Sequence, residues 1–184
     1  MRYSQNHKAE TRRRILDEAA RRFRRDGIDG TGLVPLMKAL GMTHGGFYAH
    51  FTSKEALVEA SLDAAVEQAR EKWQDPLSPD GLRAFLASYL SPRHRDDPGA
   101  GCPLPSLCAE LGLRGQPSAT TDALALNMAK RLKDCKLGAA ADDQGLVTLA
   151  ALVGALTLSR AVADPGLSER ILGAVQAAVK PPVS

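Results

Sequence analysis

The chain has 184 residues, 44% of them hydrophobic and 24% charged, which reads as one large or two small soluble domains with a substantial core. Its net charge of +3 is divided: residues 1–54 carry eleven Lys/Arg against five Asp/Glu, or +6, and the rest carry thirteen against sixteen, or −3. A basic end of this kind fits a polyanion, nucleic acid or an anionic membrane surface, set against the plainer reading of a solvated helix face.

Alanine and leucine are abundant and β-branched runs scarce, so the expected fold is all-α. The start, MRYSQNHKAETRRR, has no apolar leader, which gives the cytoplasm as the expected location. The longest apolar run, Gly145 to Ser159, is shorter than the ~20 residues of a bilayer span and ends at Arg160. No membrane partner is expected from it. Three cysteines without a CxxC pair argue against a disulfide framework.

In chain order, Ile15, Leu16, Ala19, Ala20 and Phe23 recur at three- and four-residue spacing and predict an amphipathic helix over 9–25, stopped by Gly27. Leu33, Leu36, Met37 and Leu40 predict a two-turn helix with Pro35 in its first turn and Gly41 after its end. Thr43 serves as N-cap of a third short helix reaching about His50, with Phe47 and Phe51 on one face. Ser53 caps a fourth, predicted to run to Trp73 before Pro76 stops it. Further helices are predicted over 80–90, 103–111, 118–136, 142–163 and 167–179, with 91–101 as a loop and Asp164-Pro165-Gly166 as a turn.

Two short helices joined by Leu40-Gly41-Met42-Thr43 fit a helix-turn-helix, whose second helix enters the DNA major groove. Gly45 and Gly46 each cost roughly 1 kcal/mol relative to alanine inside a helix. Placed in the groove-facing turn, they let backbone N–H groups come close to the duplex. Phe47 and Phe51 are expected to face inward, leaving His44, Tyr48 and His50 outward. Arg12, Arg13 and Arg14 either reach a phosphate or form a solvated face.

The series TRRRILDEAARRFRRDG followed by LMKALGMTHGGFYAHFTSKEALV resembles the DNA-binding domain of TetR/AcrR-type transcriptional repressors over residues 8–58. The resemblance implies that Tyr48 and Lys54 contact phosphates, that Thr43 caps the recognition helix near the backbone, and that His44, Gly45, Gly46 and His50 sit at the groove. It also implies a DNA-binding domain over 1–52 and a helical effector-binding and dimerisation domain over 53–184, with helix 53–74 connecting them. Position 46 is glycine where threonine is common in such domains and position 49 is alanine, so recognition is expected to lean on His44, backbone contacts and DNA shape.

In the second half, helix 142–163 is apolar nearly all round and should be buried; with the last helix it forms half of an interface to a second subunit, or else an internal core helix. Cys102 precedes Pro103 at a helix start, where the dipole lowers a thiol's pKa, and the pattern Gly-Cys-x-x-x-x-Leu-x-Ala-Glu is similar to an electrophile-sensing branch of the family. Cys102 is thus a possible sensor, against the reading of a small buried residue. Cys108 is expected on the opposite side of that helix. His94, Cys102, Cys108 and Cys135 match no metal-ligand spacing, and no catalytic grouping is apparent, so neither a metal, a cofactor nor an enzyme is expected.

The expected function is a homodimeric repressor that binds a palindromic double-stranded DNA operator and is released by a small-molecule effector. The alternative is a redox or electrophile switch through Cys102.

Overall fold

The computed structural model describes residues 2–72, 78–135 and 143–179, and among these the regular structure is ten α-helices and one 3-10 turn. The first, α1 (Arg2–Gly30), starts well before Ala9 because residues 2–8 contain neither glycine nor proline, and the Thr11 hydroxyl bonds the carbonyl of His7. Gly27, at φ 77° and ψ 173°, breaks the helix before a last short turn. That backbone is accessible to glycine and strained for other residues.

The second helix, α2 (Leu33–Ala39), ends at Gly41 with φ 72°, where the N–H groups of Gly41 and Met42 bond the carbonyls of Lys38 and Met37. This is a Schellman closure. The third, α3 (His44–Phe47), is capped by Thr43, whose hydroxyl accepts from the Gly46 N–H at 3.3 Å. It is shorter than expected, since residues 48–50 form a turn that carries Phe51 into the core. Ser53 caps α4 (Lys54–Lys72) through the Ala56 N–H at 3.1 Å. Trp73 and Pro76, the expected end of this helix, and Lys136 and Asp142, the expected edges of two others, lie outside the described residues.

Beyond α5 (Pro79–Tyr89) the expected loop 91–101 contains α6 (Pro92–Asp96) and the 3-10 turn (Pro98–Ala100). Each has a start signal in sequence, Ser91-Pro92 and Asp97-Pro98, and the Ser91 hydroxyl and Asp97 carboxylate accept the N–H groups of His94 and Ala100. The four remaining helices are α7 (Leu104–Leu113), α8 (Ala119–Leu132), α9 (Gln144–Ala161) and α10 (Pro165–Ala178). Gly145 lets α9 meet α8, because a Cβ there would collide with the carbonyl oxygen of Ala129.

Two hydrophobic cores result. The first gathers Ile15, Ala19, Phe23, Leu36, Phe47, Phe51 and Leu57, and it is completed by Leu107 and Leu111 of α7. The second is built from α5, α8, α9 and α10, with Leu86, Met128, Leu152, Leu156 and Leu172 among its members. A segment from the second half of the chain therefore stitches the first core shut.

Within the single chain α9 is buried on one face only, which does not fit the reading of a purely internal core helix. Leu149, Leu152, Ala155 and Leu156 are buried, but Leu146, Val147 and Leu158 are exposed, Leu158 by 56%. The helix is long and apolar enough to cross a membrane by length and composition, and its inner face packs against α8 and α10. On α10 Leu167 is also exposed, at 41%.

Candidate nucleic-acid interface

The short helix α3 is held by its rings. Phe47 and Phe51 are buried and stack with centroids 5.7 Å apart, each burial worth about 2 kcal/mol in transfer free energy. Tyr48 sets its ring edge-on to Phe47 at 5.2 Å and remains 57% exposed. His44, exposed at the start of α3, meets the Tyr48 ring at 5.6 Å, also edge-on. The phenol and the imidazole thus project together from a fixed base.

Neither glycine of the pair is demanded by packing within the chain. A Cβ on Gly45 would meet nothing within 4 Å, and one on Gly46 would make ordinary contacts with Thr43 and Met37 at 3.5 and 3.9 Å. The helix-propensity cost of two glycines is not recovered inside the molecule.

Lys54, partly exposed, opens α4 beside the Ser53 cap. A cation is unfavourable at a helix N-terminus, where the dipole and free N–H groups favour an anion. An anion seated there would reverse that penalty.

His50 is a correction. It is half-buried instead of outward, its Nδ1 is buried with no hydrogen-bond partner, and burial lowers its pKa with Lys8 and Arg12 adding to the shift. The turn at 48–50 rotates it toward α1. Arg12, Arg13 and Arg14 of α1 are also occupied: Arg12 stacks on Phe51 at 4.6 Å, Arg13 pairs with Glu10 at 3.0 Å, and Arg14 donates to the Leu40 carbonyl at 3.4 Å. Arg14 thereby helps close the end of α2, a role that its spacing in sequence does not reveal.

A second site lies between α1, α4, α5, α8 and the 91–103 segment: a cleft of about 610 Å³, lined in part by Arg24, Phe85, Tyr89, His94, Cys102 and Met128. His94 organises it. Its Nδ1 lies 2.7 Å from the Tyr89 carbonyl and its Nε2 accepts the Cys102 N–H at 3.0 Å, which assigns a neutral ring with the proton on Nδ1. Burial holds its pKa below the ordinary value. Gly101 is required beside it, because a Cβ would approach Nε2 to 2.5 Å.

The expected activation of Cys102 is overturned. Its sulfur lies 3.9 Å from the Met128 sulfur, and burial pushes its thiol pKa up although the Tyr89 hydroxyl and the Leu104 N–H at the start of α7 favour the thiolate. Desolvation outweighs the helix terminus. Cys108 packs against the same core as Cys102, and burial raises its thiol too. Cys135 is buried, pushed up to about 11.

The cleft is tied to α1 by polar contacts that sequence reasoning missed. Arg24 donates Nε to the Gly99 carbonyl at 2.7 Å, and the Ser106 hydroxyl donates to the Arg24 carbonyl at 2.7 Å. On the other side, Arg160 of α9 donates to the carbonyls of His94 and Arg95 at 2.7 and 3.0 Å. These pairs are 65 to 82 residues apart, so no local pattern marks them.

Comparison with known proteins agrees with this architecture. Residues 15–61 match the family described as bacterial regulatory proteins, tetR family. The chain is similar to the HTH-type transcriptional regulator LmrA of Bacillus subtilis, at 31% identity over 59% of this chain and 61% of that one. It is also similar to TtgR of Pseudomonas putida, at 40% identity over 32% of this chain and 28% of the other. The matched stretch thus spans less than two thirds of each of these relatives. Among solved structures, a TetR transcriptional regulator from Chloroflexus aurantiacus superposes with a TM-score of 0.67 at 26% identity, covering 96% of this chain and all of that one. Reduced NemR of Escherichia coli shares the fold, with a TM-score of 0.67 at 22% identity over 95% of this chain and 100% of its own.

Proposed function

We propose that this chain, which belongs to the TetR family of transcriptional regulators, is a cytoplasmic homodimeric repressor that binds a palindromic operator and is released by a small molecule. The observation that carries the DNA reading is the exposed Tyr48–His44 pair on a glycine-bearing helix anchored by Phe47 and Phe51. Tyr48 and Lys54 bind phosphates, Thr43 holds the start of α3, His44 reads a base edge, and Gly45 and Gly46 admit the backbone to the groove. His50 has a lesser part, since its ring is half-buried. Residues 1–52 form the DNA-binding unit and 53–184 the effector and dimer unit.

The exposed apolar face of α9 and α10, with Leu146, Val147, Leu158 and Leu167, supports the dimer. A second copy covering it forms a four-helix interface and presents two α3 helices to half-sites about one DNA turn, or a multiple, apart. An effector in the cleft acts on the 91–103 segment, which Arg24 ties to α1 and Arg160 ties to α9. Reciprocity requires that the effector weaken operator binding by the free energy by which the operator weakens effector binding, about 1–3 kcal/mol.

The electrophile reading keeps one support, that Cys102 lines the cleft, so a reactive ligand bound there meets its sulfur. Its raised pKa makes the reversible, non-covalent effector the preferred reading. Titrating duplex DNA with wild type, Tyr48→Phe and Lys54→Ala over a salt series tests the interface. Unchanged affinity and slope in both variants would refute it.

A further inference from the structure

We infer that the cleft takes a small organic carboxylate, with Arg24 as its anion-binding group and Tyr89 as a hydrogen-bond donor to it; this rests on the effector reading above and names the chemistry of its site. Arg24 is only partly exposed, and its Nε is committed to the Gly99 carbonyl. Among the described residues its two terminal nitrogens have no hydrogen-bond partner and no carboxylate lies within ion-pair distance. Asp97, which also lines the cleft, uses its Oδ1 to cap Ala100. Burial disfavours the Arg24 cation, and the Asp17 and Asp97 carboxylates, beyond ion-pair distance, offset this only in part.

The second observation is independent of that charge. Tyr89 lines the same cleft, is 5% exposed, and among the described residues its buried hydroxyl has no nitrogen or oxygen partner, only the weakly hydrogen-bonding Cys102 thiol beside it. A buried hydroxyl left with a thiol for company is under-satisfied, and a ligand oxygen would be a stronger acceptor for it.

The cleft lining also includes the apolar side chains of Phe85, Leu124 and Met128. A charged head and an apolar tail are therefore both provided for, in a volume suited to roughly ten to twenty non-hydrogen atoms. The head is a monoanion. His94 is neutral with both ring nitrogens engaged, and Arg93 is at the exposed rim, so a phosphate dianion would face one inner cation. An amine would be repelled by Arg24, and a neutral ligand would leave it uncompensated.

The test is calorimetric titration of the full chain, without DNA, using octanoate and octanamide as matched probes. Wild type should bind octanoate at least about tenfold more tightly than octanamide. Arg24→Gln should abolish that preference while binding octanamide as before, Arg24→Lys should retain it, and Tyr89→Phe should reduce it severalfold. Equal binding of acid and amide by wild type, or no octanoate binding at millimolar concentration, overturns the inference. A parallel DNA titration keeps the two readings apart. Octanoate bound without operator release would uphold the anion site and refute the effector role, whereas operator binding by a chain indifferent to octanoate would refute the anion site alone.

Discussion

Glu110 of α7 closes the break in α1: its carboxylate accepts the N–H groups of Ile28 and Asp29 at 2.6 and 2.7 Å, from 82 and 81 residues away. Gly27 creates the break, and the restarted turn has orphan N–H groups that only a tertiary partner can satisfy. Arg114 then pairs with both Glu110 and Asp29. Glu110→Ala should destabilise the chain by about 2 kcal/mol, with Glu110→Gln intermediate, in urea unfolding. A loss within about 0.5 kcal/mol would show the cap to be dispensable.

At the proposed DNA interface, Tyr48→Phe removes one hydroxyl from an exposed ring whose packing on Phe47 is unaffected. Binding should weaken by about tenfold, and Lys54→Ala should also lower the slope of log affinity against log salt by about 1. Fluorescence anisotropy with a labelled duplex reads both, and circular dichroism should show the helices intact.

Charge placed on the outer face of α9 should separate the subunits. Leu158 is 56% exposed in the single chain, so Leu158→Glu costs the monomer little, yet a carboxylate buried at an apolar interface is strongly disfavoured. Sedimentation should give a dimer for wild type and a monomer for the variant. A dimeric variant would place the interface elsewhere.

Acid should weaken the cleft through His94. Its folded pKa lies below the ordinary 6.5 because the ring is buried, so on acidification the unfolded chain takes up the proton first. Stability from this group is therefore full above about pH 6.5 and falls as the pH drops below it. The difference in melting temperature between pH 7.5 and 5.5 should be larger for wild type than for His94→Gln. Equal differences would remove His94 from the account.

Raised thiol pKa values predict low reactivity. In native conditions near pH 7.5, Cys102, Cys108 and Cys135 should each react with a disulfide reagent at least about tenfold more slowly than in urea. One fast thiol in wild type that disappears in Cys102→Ser would restore the electrophile reading.

What was legible in sequence was local. The Thr43 and Ser53 caps, Pro35 in a first turn, the glycine stop at Gly41 and the inward Phe47 and Phe51 are each decided within a few residues, and all stand. What was missed depends on partners distant in the chain. His50 reads as outward if the third helix continues to residue 50, whereas residues 48–50 form a turn. Cys102 looked activated because the helix terminus was visible in sequence and the desolvating neighbours, Met128 among them, were not. Ser91-Pro92 and Asp97-Pro98 were readable as helix starts, but the prolines, glycines and charges of 91–101 obscured them. The contacts of Arg24, Glu110 and Arg160 had no sequence signal at all.

Selection of bound duplexes from a random-sequence pool by the purified chain tests the central claim most directly. The account predicts enrichment of a palindrome with two half-sites about one helical turn, or a multiple of it, apart, lost when Tyr48 and Lys54 are both replaced. A pool that shows no enrichment, or one site without two-fold symmetry, would contradict it.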